Sequence, residues 1–156
     1  MKKRFIAYII MSITFIIDLV LKLVFKNKSF WVIKNFFKIS YIKNYGAAWS
    51  FLDGKTFFLI VLSILILGLL IKYYYSFKNN ARNIIAFGIT IGGLLGNLFD
   101  RIIYGYVNDY ILLKFGNYYY PIFNFADCMI VIGLFLIIIG IIKKEDNYGK
   151  DSSKRK

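Results

Sequence analysis

Four long apolar runs limit what this chain can fold into more than anything else in it. They read "FIAYIIMSITFIIDLVLKLVF" (5–25), "TFFLIVLSILILGLLIKYYY" (56–75), "NIIAFGITIGGLLGNLFDRII" (83–103) and "IFNFADCMIVIGLFLIIIGII" (122–142). Each is about 20 residues, the length an α-helix needs to cross a hydrocarbon layer of about 30 Å. Inside lipid only helices and closed barrels satisfy the backbone, and none of the runs alternates as a strand would. The sequence therefore predicts an all-α membrane protein with four transmembrane helices. With 156 residues there is room for one membrane-embedded domain (1–142) and a charged tail, "KKEDNYGKDSSKRK" (143–156), expected to be solvated.

The opening "MKKRFIAYII" imitates a secretory leader. The apolar run continues well past a typical leader core, and no small-x-small site closes it, so a retained first helix is expected. Four spans put both termini on one side. The loops on that side carry twelve Lys and Arg, against seven on the other. The excess places the termini in the cytoplasm. The net charge of +13 would suit nucleic acid, but the basic residues flank the spans, so anionic head groups are the expected partner and nucleic acid is not. The single cysteine, Cys128, lies within the fourth run and excludes an internal disulfide.

The polar residues inside the runs gather at one level. With the first and third helices running outward, Asp18, Lys22, Asn97, Asp100 and Arg101 fall toward their outer ends, and Asp109 follows. The fourth helix returns inward with Asn124 and Asp127 in its first turns. A charge in mid-bilayer costs about 2.5–3.5 kcal/mol on insertion scales, so such residues default to function. Asp18 and Lys22 are four apart, Asn97 lies three and four before Asp100 and Arg101, and Asn124 is three before Asp127; each set shares one helix face. Gly92, Gly93 and Gly96 read as a close-packing surface for neighbouring helices. Between the first two runs, "FWVIKNFFKISYIKNYGAAWSF" mixes aromatics and lysines and suits an element lying on the outer bilayer surface, with short strands near the "NYG" turn. Residues 104–121 read as a second interfacial loop.

Elimination narrows the chemistry. There is no histidine, which removes Ser-His and Cys-His pairs and His-based zinc sites. A Ser-Lys dyad would have to use Ser50 with Lys22 or Lys55, and no pattern ties them. Two aspartates remain: Asp109 after the third run and Asp127 at the start of the fourth, with 17 residues between them. Neighbouring carboxyls in a poorly solvated site share a proton, so one can act as base on a water while the other acts as acid. The same pair fits as capping aspartates at an interface, and the residues by themselves leave the two readings level.

The motifs carry a resemblance. "GNLFDRIIYGYVND" (96–109), "FNFAD" (123–127), "NYGAAWS" (44–50) and "DLVLK" (18–22), in that order relative to the spans, resemble the motifs of lipoprotein signal peptidase, or signal peptidase II. The resemblance implies a metal-independent aspartic endopeptidase of the bacterial inner membrane, without cofactor. Such an enzyme removes the signal peptide of prolipoproteins just before the diacylglyceryl-modified lipobox cysteine. It further implies Asp109 and Asp127 as the catalytic pair, with Asn44, Asn97, Arg101 and Asn124 contacting substrate or supporting the dyad. Asp18, Lys22, Gly46 and Asp100 become structural supports of that site. For the fold it implies a monomeric four-helix bundle with a small extracytoplasmic β-cradle and a short interfacial amphipathic helix. Arg101 would either reach the substrate or neutralise Asp100.

Two other readings compete. A transporter would need polar residues across the whole membrane, yet they stop at one leaflet and the second run has no charge between Lys55 and Lys72. An assembly subunit held by polar contacts would explain Asp18 and Lys22 but not the paired motifs around the third loop.

Overall fold

In the computed structural model, residues 2–47 and 52–145 are described. They form α1 (Lys2–Phe25), β1 (Ser29–Ile33), β2 (Phe37–Asn44), α2 (Thr56–Ser76), α3 (Ala81–Tyr104), β3 (Val107–Phe115), β4 (Tyr118–Tyr119) and α4 (Phe125–Ile142). All four helices are long and apolar enough to cross a membrane. The helix ends have local causes. Asn80 caps α3 by accepting the Asn83 N–H, and Gly105 ends it in the left-handed region at φ 78. Asn124 caps α4, which therefore starts three residues later than the apolar run predicts.

The helix α3 is the centre. Over its most apolar stretch 78% of residues are buried inside the protein, against 11–22% in the other three. It packs against all of them, while α1 and α4 also touch each other. The least apolar of the four runs is thus the one kept from lipid, as the cost of polar groups in hydrocarbon requires. Glycines permit the contact, as expected. A Cβ on Gly92 would come within 2.6 Å of the Met11 carbonyl oxygen on α1, and one on Gly93 within 2.6 Å of the Ala126 carbonyl oxygen on α4. On Gly96 it would lie 2.2 Å from Asp18 Oδ2, so this glycine makes room for a buried carboxylate.

Where α1 and α3 end and α2 and α4 begin lies an antiparallel sheet of order β1-β2-β3-β4. The strands near "NYG" are present, with β2 ending at Asn44. Residues 107–119 are not a loop: β3 pairs with β2 (Ile42 opposite Asp109, Asn44 opposite Val107) and turns through Gly116, at φ 62, into β4. The alternation was hidden because β3 is buried on both faces at its start. No helix beyond these four occurs among the described residues; Trp49, Ser50 and Phe51 lie outside them.

The tail differs from expectation at its start. Glu145 accepts hydrogen bonds from Asn80 (2.7 Å) and Asn83 (2.9 Å) and pairs with Arg82, while its backbone carbonyl accepts the Lys78 N–H at 2.7 Å. The α2–α3 turn is thereby tied to the end of α4. Residues 146–156 lie outside the described residues.

Crowding at Gly96 predicts that Gly96→Ala destabilises by about 1–3 kcal/mol. At Gly68 on α2 a Cβ would meet nothing within 4 Å, so Gly68→Ala should be neutral or gain up to about 1 kcal/mol. Thermal unfolding of both variants in detergent checks the contrast.

Candidate active site

The sheet and helix ends bring the two aspartates to one residue. Asp109 comes from β3 and is 1% exposed. Asp127 is the third residue of α4, where a capping box holds it: its N–H donates to Asn124 Oδ1 (2.9 Å), and its Oδ2 accepts the Asn124 backbone N–H (3.1 Å). The Asn124 side chain also donates to Asp109 Oδ1 at 2.6 Å. One N-cap asparagine therefore binds both carboxyls, and the cap that starts the helix also builds the site.

Every carboxyl oxygen of the pair has an N–H donor. Asp109 Oδ2 accepts from Asn44 Nδ2 (2.8 Å), and Asp127 Oδ1 from Asn97 Nδ2 (2.8 Å). The asparagine oxygens are occupied in turn. Asn44 Oδ1 accepts the Gly46 N–H at 2.9 Å, which shapes the turn after β2. Asn97 Oδ1 accepts from Lys22 Nζ (3.0 Å) and from Asn124 Nδ2 (3.1 Å). Hydrogen bonds to charged groups contribute about 1.5–3 kcal/mol each, and their loss leaves a buried ion unmatched.

Behind Asn97 lies a buried ion cluster. Lys22 Nζ is 2.7 Å from Asp18 Oδ2 and 3.1 Å from Asp100 Oδ2. Asp18 Oδ1 accepts the Ala126 N–H at 3.0 Å, joining α1 to the first turn of α4. Asp100 Oδ2 accepts both the backbone N–H (2.9 Å) and the side-chain amide (3.0 Å) of Asn108. Asp100 therefore has its ion pair with Lys22, and none with Arg101 among the described residues. Arg101 instead donates to the Gly46 carbonyl oxygen at 2.9 Å and steadies the turn that positions Asn44.

Of the residues singled out in the sequence, Asn44, Asn97 and Asn124 touch the two carboxyls directly. Gly46 enters through its backbone, Arg101 through Gly46, and Asp18, Lys22 and Asp100 lie on the far side of Asn97. Of the Ser-Lys candidates, Lys22 is committed to its cluster and Ser50 lies outside the described residues. Sequence reasoning missed Asn108, which links Asp100 to the Tyr41 hydroxyl (2.9 Å), and Tyr110, whose hydroxyl accepts the Phe125 N–H (3.3 Å). A polar residue between Val107 and Asp109 in a buried strand was the one signal for Asn108.

Burial, and then the neighbouring Asp127 carboxylate, push Asp109 up to about 7, against the pull of its two asparagine donors. Burial raises Tyr110 as well. Chemically, the arrangement holds two carboxyls on one asparagine at the end of apolar helices, and Asp109 keeps its proton to near neutral pH.

The comparisons point to the family whose motifs the sequence resembles. The family model described as signal peptidase (SPase) II matches residues 10–143. The lipoprotein signal peptidase of Clostridium acetobutylicum is 41% identical over 117 residues, covering 74% of this chain and 76% of the relative. That of Staphylococcus carnosus is 36% identical over 151 residues, covering 91% and 95%. A solved structure described as a bacterial membrane enzyme, determined by the in meso method at 2.3 Å, superposes with a TM-score of 0.80 at 34% identity, covering 96% of this chain and 91% of the other.

The shift at Asp109 has a sign. An aspartate in the unfolded chain loses its proton near 4, whereas folded Asp109 keeps it to about 7. Between those values only the folded state holds the proton, so stability falls as pH rises and levels off above 7, by roughly 4 kcal/mol in all. Melting temperatures of the protein and of Asp109→Asn, compared from pH 4 to 8, should diverge in the variant's favour with rising pH.

Proposed function

The chain belongs to the signal peptidase II family, and from that premise we propose that Asp109 and Asp127 are its catalytic pair. It is a membrane peptidase that removes signal peptides from prolipoproteins. The observation that carries the assignment of the pair is the convergence of both carboxyls on Asn124, with every carboxyl oxygen met by an N–H.

The reaction follows from that geometry. A water between the carboxyls gives its proton to the ionised one as its oxygen attacks the scissile carbonyl carbon. The protonated carboxyl stabilises the developing oxyanion and then supplies a proton to the departing amine nitrogen as the C–N bond breaks. The products are a signal peptide ending in a carboxylate and a free amino group on the cysteine that follows. The four asparagine donors hold the carboxyls through both proton transfers. No metal enters any step.

We read the four helices as a transmembrane bundle of the bacterial inner membrane, monomeric, with both termini in the cytoplasm. The sheet then forms a cradle on the outer surface, and the pair lies at head-group level. A precursor whose cysteine carries diacylglyceryl is held in that leaflet by its acyl chains and its signal helix. Its scissile bond, just before the cysteine, reaches the pair without a further search; restricting both partners to one plane supplies orientation. Asn44 and Arg101, beside the turn at Gly46, are placed to meet substrate.

Asp109→Asn and Asp127→Asn should each lower cleavage of a diacylglyceryl-modified precursor by about 10³-fold or more while the protein stays folded and inserted. Gel-shift processing in detergent measures this. Cleavage within tenfold of the unaltered enzyme by either variant refutes the pair, and loss of activity on chelation refutes the metal-free mechanism.

A further inference from the structure

Each asparagine that serves the aspartate pair can present its amide in two ways, and only one is useful. Rotated by half a turn, the same side chain would set a carbonyl oxygen against a carboxylate. What prevents this is whatever holds the asparagine oxygen. For Asn44 it is the Gly46 N–H and for Asn124 the Asp127 N–H, both backbone groups that can only donate. For Asn97 no backbone group does so. Its oxygen faces Lys22 Nζ at 3.0 Å and the Asn124 amide at 3.1 Å. The Asn124 amide belongs to the dyad's own network. Lys22 comes from another helix, is 4% exposed, and as an ammonium has three N–H donors and no acceptor.

We propose that Lys22 is a positioning residue for the reaction: by admitting only an oxygen beside it, its ammonium turns the Asn97 amide toward Asp127. The inference rests on the assignment of Asp109 and Asp127 as the catalytic pair. It explains an arrangement that neutralisation alone leaves open. Lys22 could neutralise Asp18, four residues away on its own helix, and Asp100 on α3 without touching Asn97. Its third contact reaches toward the pair. The charged groups around this point are Asp18 from α1, Asp100 and Arg101 from α3, Asp109 from β3 and Asp127 from α4. The ammonium is held on the Asn97 side by the two carboxylates that do no chemistry. Asn97 also links the carboxyls through Asn124, so its orientation bears on both.

Removing Lys22 alone would strand two buried carboxylates, so the test uses a charge-matched pair. Lys22→Met with Asp100→Asn keeps the net charge of the cluster; Asp100→Asn alone keeps Lys22 and its bond to Asn97. Turnover of a diacylglyceryl-modified prolipoprotein peptide is measured against pH, per folded enzyme, with Asp109→Asn in parallel. The double variant should lose about tenfold or more in kcat with KM little changed. The acid limb of its profile should move up by about one pH unit, because the dyad carboxylate has lost a donor. Asp100→Asn alone, with Lys22 still present to donate to Asn97, should lose clearly less than the double variant, and an equal loss overturns the proposal. Asn97→Asp, which still accepts from Lys22 but cannot donate to Asp127, should reproduce the double variant. If the double variant does not fold, Asn97→Asp decides alone. An unchanged kcat and pH profile in the double variant, or in Asn97→Asp, overturns the proposal. Activity in Asp109→Asn would instead overturn the catalytic pair itself, so the two failures are separable.

Discussion

A buried carboxyl oxygen must be given a hydrogen-bond donor, and here two carboxyls at one place ask for four. Water cannot be relied on at the end of four apolar helices, so the protein supplies the N–H groups itself, and those four groups determine much of the fold around them. Three are asparagine amides from β2, α3 and the cap of α4; the fourth is the backbone N–H of that cap. An asparagine is useful only when its oxygen is engaged elsewhere, which calls the Gly46 turn, the Asp127 N–H and Lys22 into the same network. The demand then spreads outward. Arg101 steadies the turn, Asp18 and Asp100 hold the lysine, and Asn108 secures Asp100.

That network requires close helices, which explains the character of α3. A helix meant for lipid would be apolar all round, as α2 nearly is. Instead α3 carries Asn97, Asp100 and Arg101 near one end and glycines along its length, and it is enclosed by the others. Gly96 joins the two roles: the same missing Cβ lets α1 approach and leaves room for the Asp18 carboxylate. Packing density and ion placement are thus one problem solved at one residue.

The parts legible in the sequence are those with a strong period or a strict pairing rule. Apolar length marked the four helices to within a few residues at most ends. Charges within apolar runs marked Asp18, Lys22, Asp100 and Asp127, because a membrane leaves such residues few other uses. Helix spacing grouped Asn97 and Asn124 with those charges, and motif resemblance added Asn44, which composition alone would have left as an ordinary polar residue. What stayed hidden depends on the fold. The strands β3 and β4 are short or buried on both faces, so they lack alternation. The role of Arg101 turned on a backbone carbonyl of Gly46, which no side-chain pattern records. Which cation would pair with Asp100 was a question of helix packing: Lys22 of α1 makes the ion pair, while Arg101, next to it in sequence, donates to Gly46.

The ion cluster behind Asn97 is hard to explain by stability. Taking Asp18, Lys22 and Asp100 out of water carries a desolvation cost that their mutual attraction at best balances, and well-packed apolar residues of similar volume often do as well or better. A buried ion differs from an apolar group chiefly in being selective about its neighbours: a lysine accepts no hydrogen bond, and a carboxylate donates none. Placed beside an asparagine, that selectivity passes one step further, to an amide that must then point one way. A buried carboxyl that takes up and gives off a proton needs surroundings that favour one arrangement in both protonation states. The backbone can enforce this where a strand or a helix cap passes close by, at Asn44 and Asn124. In the middle of a helix, where the N–H groups are already spent on the helix itself, only a side chain can, and Lys22 stands where one is needed.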